Sequence, residues 1–112
     1  MNFKFAIPLE NGVLCSHFGH CQQFAIIDVV DNVITSEKLI TPPPHEPGLL
    51  PAWLAEQGVT DIIAGGIGQR AITLFQTNNI KVNMGAQPKN PKDLVSDWIG
   101  NSLITGANAC DH

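Results

Sequence analysis

The sequence predicts an α/β domain in which a mixed sheet is flanked by helices, in the order β-β-β-α-β-α-β-α. Two patterns and one number carry that expectation. Up to residue 40 the apolar residues fall in short β-branched and aromatic runs; from residue 49 on, stretches of helical spacing alternate with short buried-type strands. The chain has 112 residues, 44% of them hydrophobic and 14% charged, which suits one core and leaves little room for a second. A single domain over 1–112 is expected.

Residues 3–9 (FKFAIPL) open the chain as a strand. Residues 23–30 (QFAIIDVV) and 33–40 (VITSEKLI) read as a hairpin about Asp31-Asn32. The stretch TPPPHEPG (41–48) breaks regular structure, because consecutive prolines remove backbone donors and hold the chain extended. A helix starts near Leu49, tolerates Pro51 in its first turn, presents Leu50, Trp53 and Leu54 on one face and stops at Gly58. VTDIIAGG (59–66) reads as a buried strand, 67–79 as a helix with Ala71, Ile72 and Phe75 on one side, and 80–85 as another strand. The last helix takes Asn90 as N-cap, Pro91 at its first position and Asp93 in its first turn, with Leu94, Val95, Trp98, Ile99 and Leu103 toward the core. GANACDH (106–112) has no periodicity, so a flexible tail is expected from about residue 105.

Composition excludes several function classes. Six basic against ten acidic residues give a net charge of −4, all of it carried by residues 1–56. With Arg70 the sole arginine and no basic run, binding nucleic acid through its phosphates is not expected. No apolar run approaches the ~20 residues that span a bilayer. The opening MNFKFAIPLENG lacks a small-residue cleavage site and reads as a first strand rather than a signal peptide. A cytoplasmic protein is expected, and three cysteines, an odd number, argue against a disulfide framework in it.

The chemistry concentrates in three places. Cys15-Ser16-His17-Phe18-Gly19-His20-Cys21 packs four soft or borderline ligands into seven residues. Thiolate and imidazole suit zinc, copper(I) or iron–sulfur species rather than magnesium or calcium, although the spacing matches no zinc finger. The other reading of this loop makes Cys15 and Phe18 core residues and leaves the histidines in solvent. At the end of the chain Cys110 and His112 would add two ligands if the tail folded back. Between strand and helix, Gly65-Gly66-Ile67-Gly68-Gln69-Arg70 resembles a dinucleotide fingerprint, but residues 80–87 supply no acid for a ribose. What survives is a helix N-terminus whose free N–H groups, beside Arg70, attract an anion. The competing reading is a glycine turn needed only for close packing. His45, next to Glu46, is a further candidate near the site. Trp53 and Trp98 sit on apolar helix faces and read as core.

In combination these residues resemble the family of dinitrogenase iron–molybdenum cofactor-binding proteins. The matching stretches are AIPLENG (6–12), Ser16-His17-Phe18-Gly19, PPHEPGLLPAWL (43–54), IIAGGIGQRAITLF (62–75) and the terminal Cys110-Asp111-His112. The tail also makes the chain similar to the orange proteins, which hold a molybdenum–copper sulfide cluster non-covalently. The resemblance implies a ribonuclease-H-like fold, with a five-stranded mixed sheet and an antiparallel hairpin. It does not imply nuclease activity, since FKFAIPL supplies no carboxylate for metal-dependent hydrolysis. The implied role is non-enzymatic: binding and carrying a metal–sulfur cluster of molybdenum with iron or copper, for delivery to a protein partner. Ser16, His17, Gly19, His45, Gly65, Gly66, Gly68 and Arg70 would line the cargo, and metal bonds would come from Cys15, His17, His20, Cys21, Cys110 or His112. The rival expectation is a mononuclear zinc or copper site with a regulatory or docking role. A small cysteine-dependent redox enzyme is a third.

Overall fold

The structure, a computed structural model, describes residues 2–15, 18, 21–43, 49–101 and 103. Its elements are β1 (Asn2–Glu10), β2 (Val13–Leu14), β3 (Gln23–Val30), β4 (Val33–Ile40), α1 (Leu49–Glu56), β5 (Asp61–Ile63), α2 (Gln69–Thr77), β6 (Lys81–Asn83) and α3 (Pro91–Ile99). Five main strands lie in the order β4-β3-β1-β5-β6, with the short β2 paired to β1. β1 is antiparallel to β3 and parallel to β5, and β5 is parallel to β6. This is the mixed open sheet that the sequence predicts.

Period-2 alternation along the strands feeds two cores. Ala6, Phe24, Ile26 and Ile62 face one side and meet Leu50 and Leu54 of α1 and Ile72 and Phe75 of α2. Phe5, Ile7, Ala25, Ile27 and Ile63 face the other side and meet Leu94 and Val95 of α3. Trp53 and Trp98 are partly buried against these cores, as their helix faces predict. Trp98 packs edge-on against Phe5, with ring centroids 4.8 Å apart.

The turns follow their residues. Asp31 and Asn32 both take positive φ, +50° and +66°, as a tight hairpin of this hand requires. Gly58 ends α1 at φ +85°, and the Val59 N–H reaches back to Leu54 O at 3.2 Å. α2 ends the same way, but on Asn79 at φ +61°. Asn90 caps α3 by accepting from the Lys92 N–H at 3.0 Å, with Pro91 leading the helix.

Three expectations need correction. The stretch 59–66 pairs as a ladder only over Asp61–Ile63, although single backbone bonds (Lys81 N–H to Thr60 O, Ala64 N–H to Asn83 O) continue it at both ends. The following helix starts at Gln69 rather than residue 67, because Gly68 is still extended at φ −70°, ψ 151° and Ile67 turns inward as a fully buried plug. Between the expected strands 3–9 and 23–30 the chain also makes a short pairing that the expected element order lacks. Asn11 and Gly12 make a positive-φ turn, +55° and +84°, that folds Val13–Leu14 back onto β1. An Asn-Gly pair is the strongest short hairpin signal, and it stood in the sequence. Among the described residues no helix is long and apolar enough to cross a membrane.

Candidate functional site

Strand directions gather the chemically interesting segments at one end of the sheet. β1, β5 and β6 run parallel and end there, β4 runs with β1, and antiparallel β3 begins there. The chain therefore leaves the sheet at that end after residues 10, 40, 63 and 83, and enters it there at residue 23. This is where an open α/β sheet offers a crevice beyond its strand ends.

The Cys/His loop is pinned at three points. On entry, Leu14 N–H donates to Lys89 O at 3.0 Å and Cys15 N–H to Pro8 O at 2.9 Å. In the middle, Phe18 N–H donates to Gly66 O at 2.8 Å. On exit, Gln22 N–H donates to Leu9 O at 2.8 Å. The Phe18 ring then anchors the loop in the core, edge-on to Phe75 of α2 at 5.4 Å and tilted against Phe24 of β3 at 6.0 Å. Burial of Cys15 and Phe18, at 2% and 8% exposure, bears out the core reading for these two residues. Ser16, His17, Gly19 and His20, which flank the pinned Phe18, lie outside the described residues, as do His45, Cys110 and His112.

The glycine turn meets this loop directly. Gly65 and Gly66 are buried, and Gly65 O accepts from Gly85 N–H at 2.8 Å. Gly68 and Arg70 are exposed. Among the described residues, no side chain caps the N-terminus of α2, and a Cβ built on Gly68 would meet nothing within 4 Å; the first turn of α2 holds no acid. The N-terminus of α2 thus carries positive partial charge beside the exposed Arg70, an arrangement that favours an anion.

Cys21 is half-buried on the rim of the α1/α2-side core. Burial first, and the neighbouring Cys15 second, push its thiol up to about 11. A nucleophilic cysteine needs the opposite shift. A metal would still bind there by displacing the proton. Among the described residues no three His, Cys, Asp or Glu side chains form a metal-binding group. The one buried charged residue among them, Asp61, begins β5 at the end away from the glycine turn; burial raises its carboxyl pKa, and the Thr60 hydroxyl donates to it at 2.7 Å.

The family model for the dinitrogenase iron-molybdenum cofactor matches residues 1–101. The chain belongs to that family. The match stops short of Cys110 and His112. An uncharacterized protein of Methanocaldococcus jannaschii is 33% identical over 84 residues, covering 70% of this chain and 71% of that protein. The crystal structure of PH0822 superposes with a TM-score of 0.85 at 27% identity, covering 92% of this chain and 94% of that one. The apo form of the orange protein from Desulfovibrio gigas shares the fold at a TM-score of 0.76 and 18% identity, over 94% and 93% of the two chains. Family membership suggests metal-cluster binding. The residue types brought to the loop end, sulfur donors beside an uncapped helix N-terminus, fit a soft, anionic cargo of that kind.

Proposed function

We propose that the protein binds and carries a metal–sulfur cluster, of molybdenum with iron or copper, at the loop end of the sheet, without catalysing a reaction on it. The observation that carries this reading is the 2.8 Å bond from Phe18 N–H to Gly66 O, which seats the Cys/His loop against the glycine turn that opens α2. Two kinds of recognition then act on one cargo. The N–H groups of the first turn of α2, with Arg70, stabilise its negative charge, and His17, His20 or a cysteine supplies a direct bond to metal. The net charge of −4 opposes an anion at long range. Screening confines that opposition to roughly 8 Å at physiological ionic strength, so donors in contact with the cargo outweigh it.

A carrier needs no activated nucleophile, and the raised Cys21 thiol is consistent with that. Delivery implies a receiving protein. The test is anaerobic reconstitution with molybdate, copper or iron together with sulfide. A visible charge-transfer band that co-elutes with the protein and weakens in His17→Ala supports the reading; absence of any band under all three metals overturns it. Uptake of one zinc per chain without sulfide would instead favour the mononuclear site.

A further inference from the structure

At the end of the sheet away from the pinned loop, β1 begins and the β3–β4 hairpin turns. There, among the described residues, Phe3, Asp31, Asn32, Trp98, Ile99 and Asn101 line a cavity of about 410 Å³. That volume falls within the ~300–1,000 Å³ of small-molecule sites. Phe3, Trp98 and Ile99 are half-buried and form its apolar wall, with the Phe3 and Trp98 rings edge-on at 4.9 Å. Asp31, Asn32 and Asn101 are exposed and polar. Each holds a left-handed backbone, at φ +50°, +66° and +59°, so turn geometry fixes where it stands. Asn101 is tied down further, its N–H donating to Trp98 O at 3.1 Å. Among these lining residues Asp31 alone is charged. Lys4, next to Phe3, is on the other face of the sheet, where it pairs with Asp28 at 3.8 Å. A hairpin of this kind accepts asparagine as readily as aspartate, so the turn does not by itself call for a carboxylate at residue 31.

We propose that this cavity binds a small alkylguanidinium cation, its stem on the apolar wall and its head between the Trp98 indole and the Asp31 carboxylate. The site lies at the opposite end of the sheet from the cluster site and does not depend on the cluster reading. Charge selects a cation, because the single charged group in the lining is an acid. Shape selects guanidinium over ammonium. A guanidinium is planar and weakly hydrated, stacks on aromatic rings and presents its N–H groups as a fork that matches a carboxylate. Its remaining N–H groups find acceptors in the side-chain amide oxygens of Asn32 and Asn101. An ammonium is compact and strongly hydrated, and gains less from an indole wall.

The probes are n-butylguanidinium, n-butylammonium and the neutral, near-isosteric n-butylurea, each titrated into the isotopically labelled full chain at one ionic strength of about 0.1 M. The chain has two tryptophans, so two indole N–H resonances report: Trp98 in the cavity, and Trp53 in the core on the other face as an internal control. The Trp98 resonance should shift saturably with n-butylguanidinium, with a Kd in the millimolar range expected of so small a ligand, and Trp53 should stay in place. The urea, which lacks the charge, should bind about tenfold more weakly. Asp31→Asn keeps a residue that the positive-φ turn favours and should weaken n-butylguanidinium binding by about threefold to fivefold. No saturable shift at Trp98 up to about 50 mM overturns the inference. So do equal shifts at Trp53, equal affinity for the urea or the ammonium, and undiminished binding by D31N.

Discussion

If Phe18 holds the Cys/His loop in place, Phe18→Ala should release the loop at a calculable cost. The ring is 8% exposed and meets two other aromatics, at 5.4 and 6.0 Å. Burying about 150 Å² of aromatic surface at roughly 25 cal/mol per Å² gives near 4 kcal/mol, and each aromatic contact adds on the order of 0.5–1.5 kcal/mol. A loop residue can relax into part of the space it leaves, so about 3 kcal/mol is the expected loss, at the low end for a buried Phe→Ala. With a urea m-value of about 1–2 kcal/mol/M, the unfolding midpoint of the metal-free protein should fall by roughly 1.5–3 M. Phe18→Leu keeps most of the apolar area and should lose about 1 kcal/mol. Equilibrium urea unfolding followed by tryptophan fluorescence reads both variants. A midpoint for Phe18→Ala within about 0.3 M of wild type would mean the ring is not an anchor. Preorganisation of the loop against Gly66 would then be excluded as well.

Asp61 has a folded-state carboxyl pKa raised above its ordinary value of 3.8, mainly by burial. Its contribution to stability is therefore full below pH 3.8 and is lost as pH rises through the raised folded value. Asp61→Asn, which keeps an acceptor for the Thr60 hydroxyl, should unfold at higher urea than wild type at pH 7 and show no advantage at pH 3; a destabilised D61N at pH 7 would contradict this. For Cys21, a thiol pushed up to about 11 should be alkylated by iodoacetamide at pH 8 on the order of 100-fold more slowly than a peptide cysteine. Site-resolved mass spectrometry reads that rate, and peptide-like labelling of Cys21 would revive a reactive-cysteine role.

Much of this architecture is legible in the chain because local chemistry and the global fold agree. Asp31-Asn32 marked a hairpin, Asn90-Pro91 a helix start and Gly58 a helix end, and each sits where its backbone preference needs it. Boundaries were less legible where tertiary pairing overrides pattern: the apolar stretch 59–66 looks like one strand, yet Gly65 and Gly66 leave the ladder to receive the loops. For the site, composition exposed the Cys/His loop and the glycine turn as separate candidates. Their junction rests on a backbone bond between residues 18 and 66, and no pattern of side chains encodes such a bond.

The central claim is that this chain holds a metal–sulfur cluster. Protein purified under strict exclusion of oxygen, without added metal, should contain molybdenum with copper or iron, and acid-labile sulfide in proportion to that metal. One zinc per chain with no sulfide would contradict it.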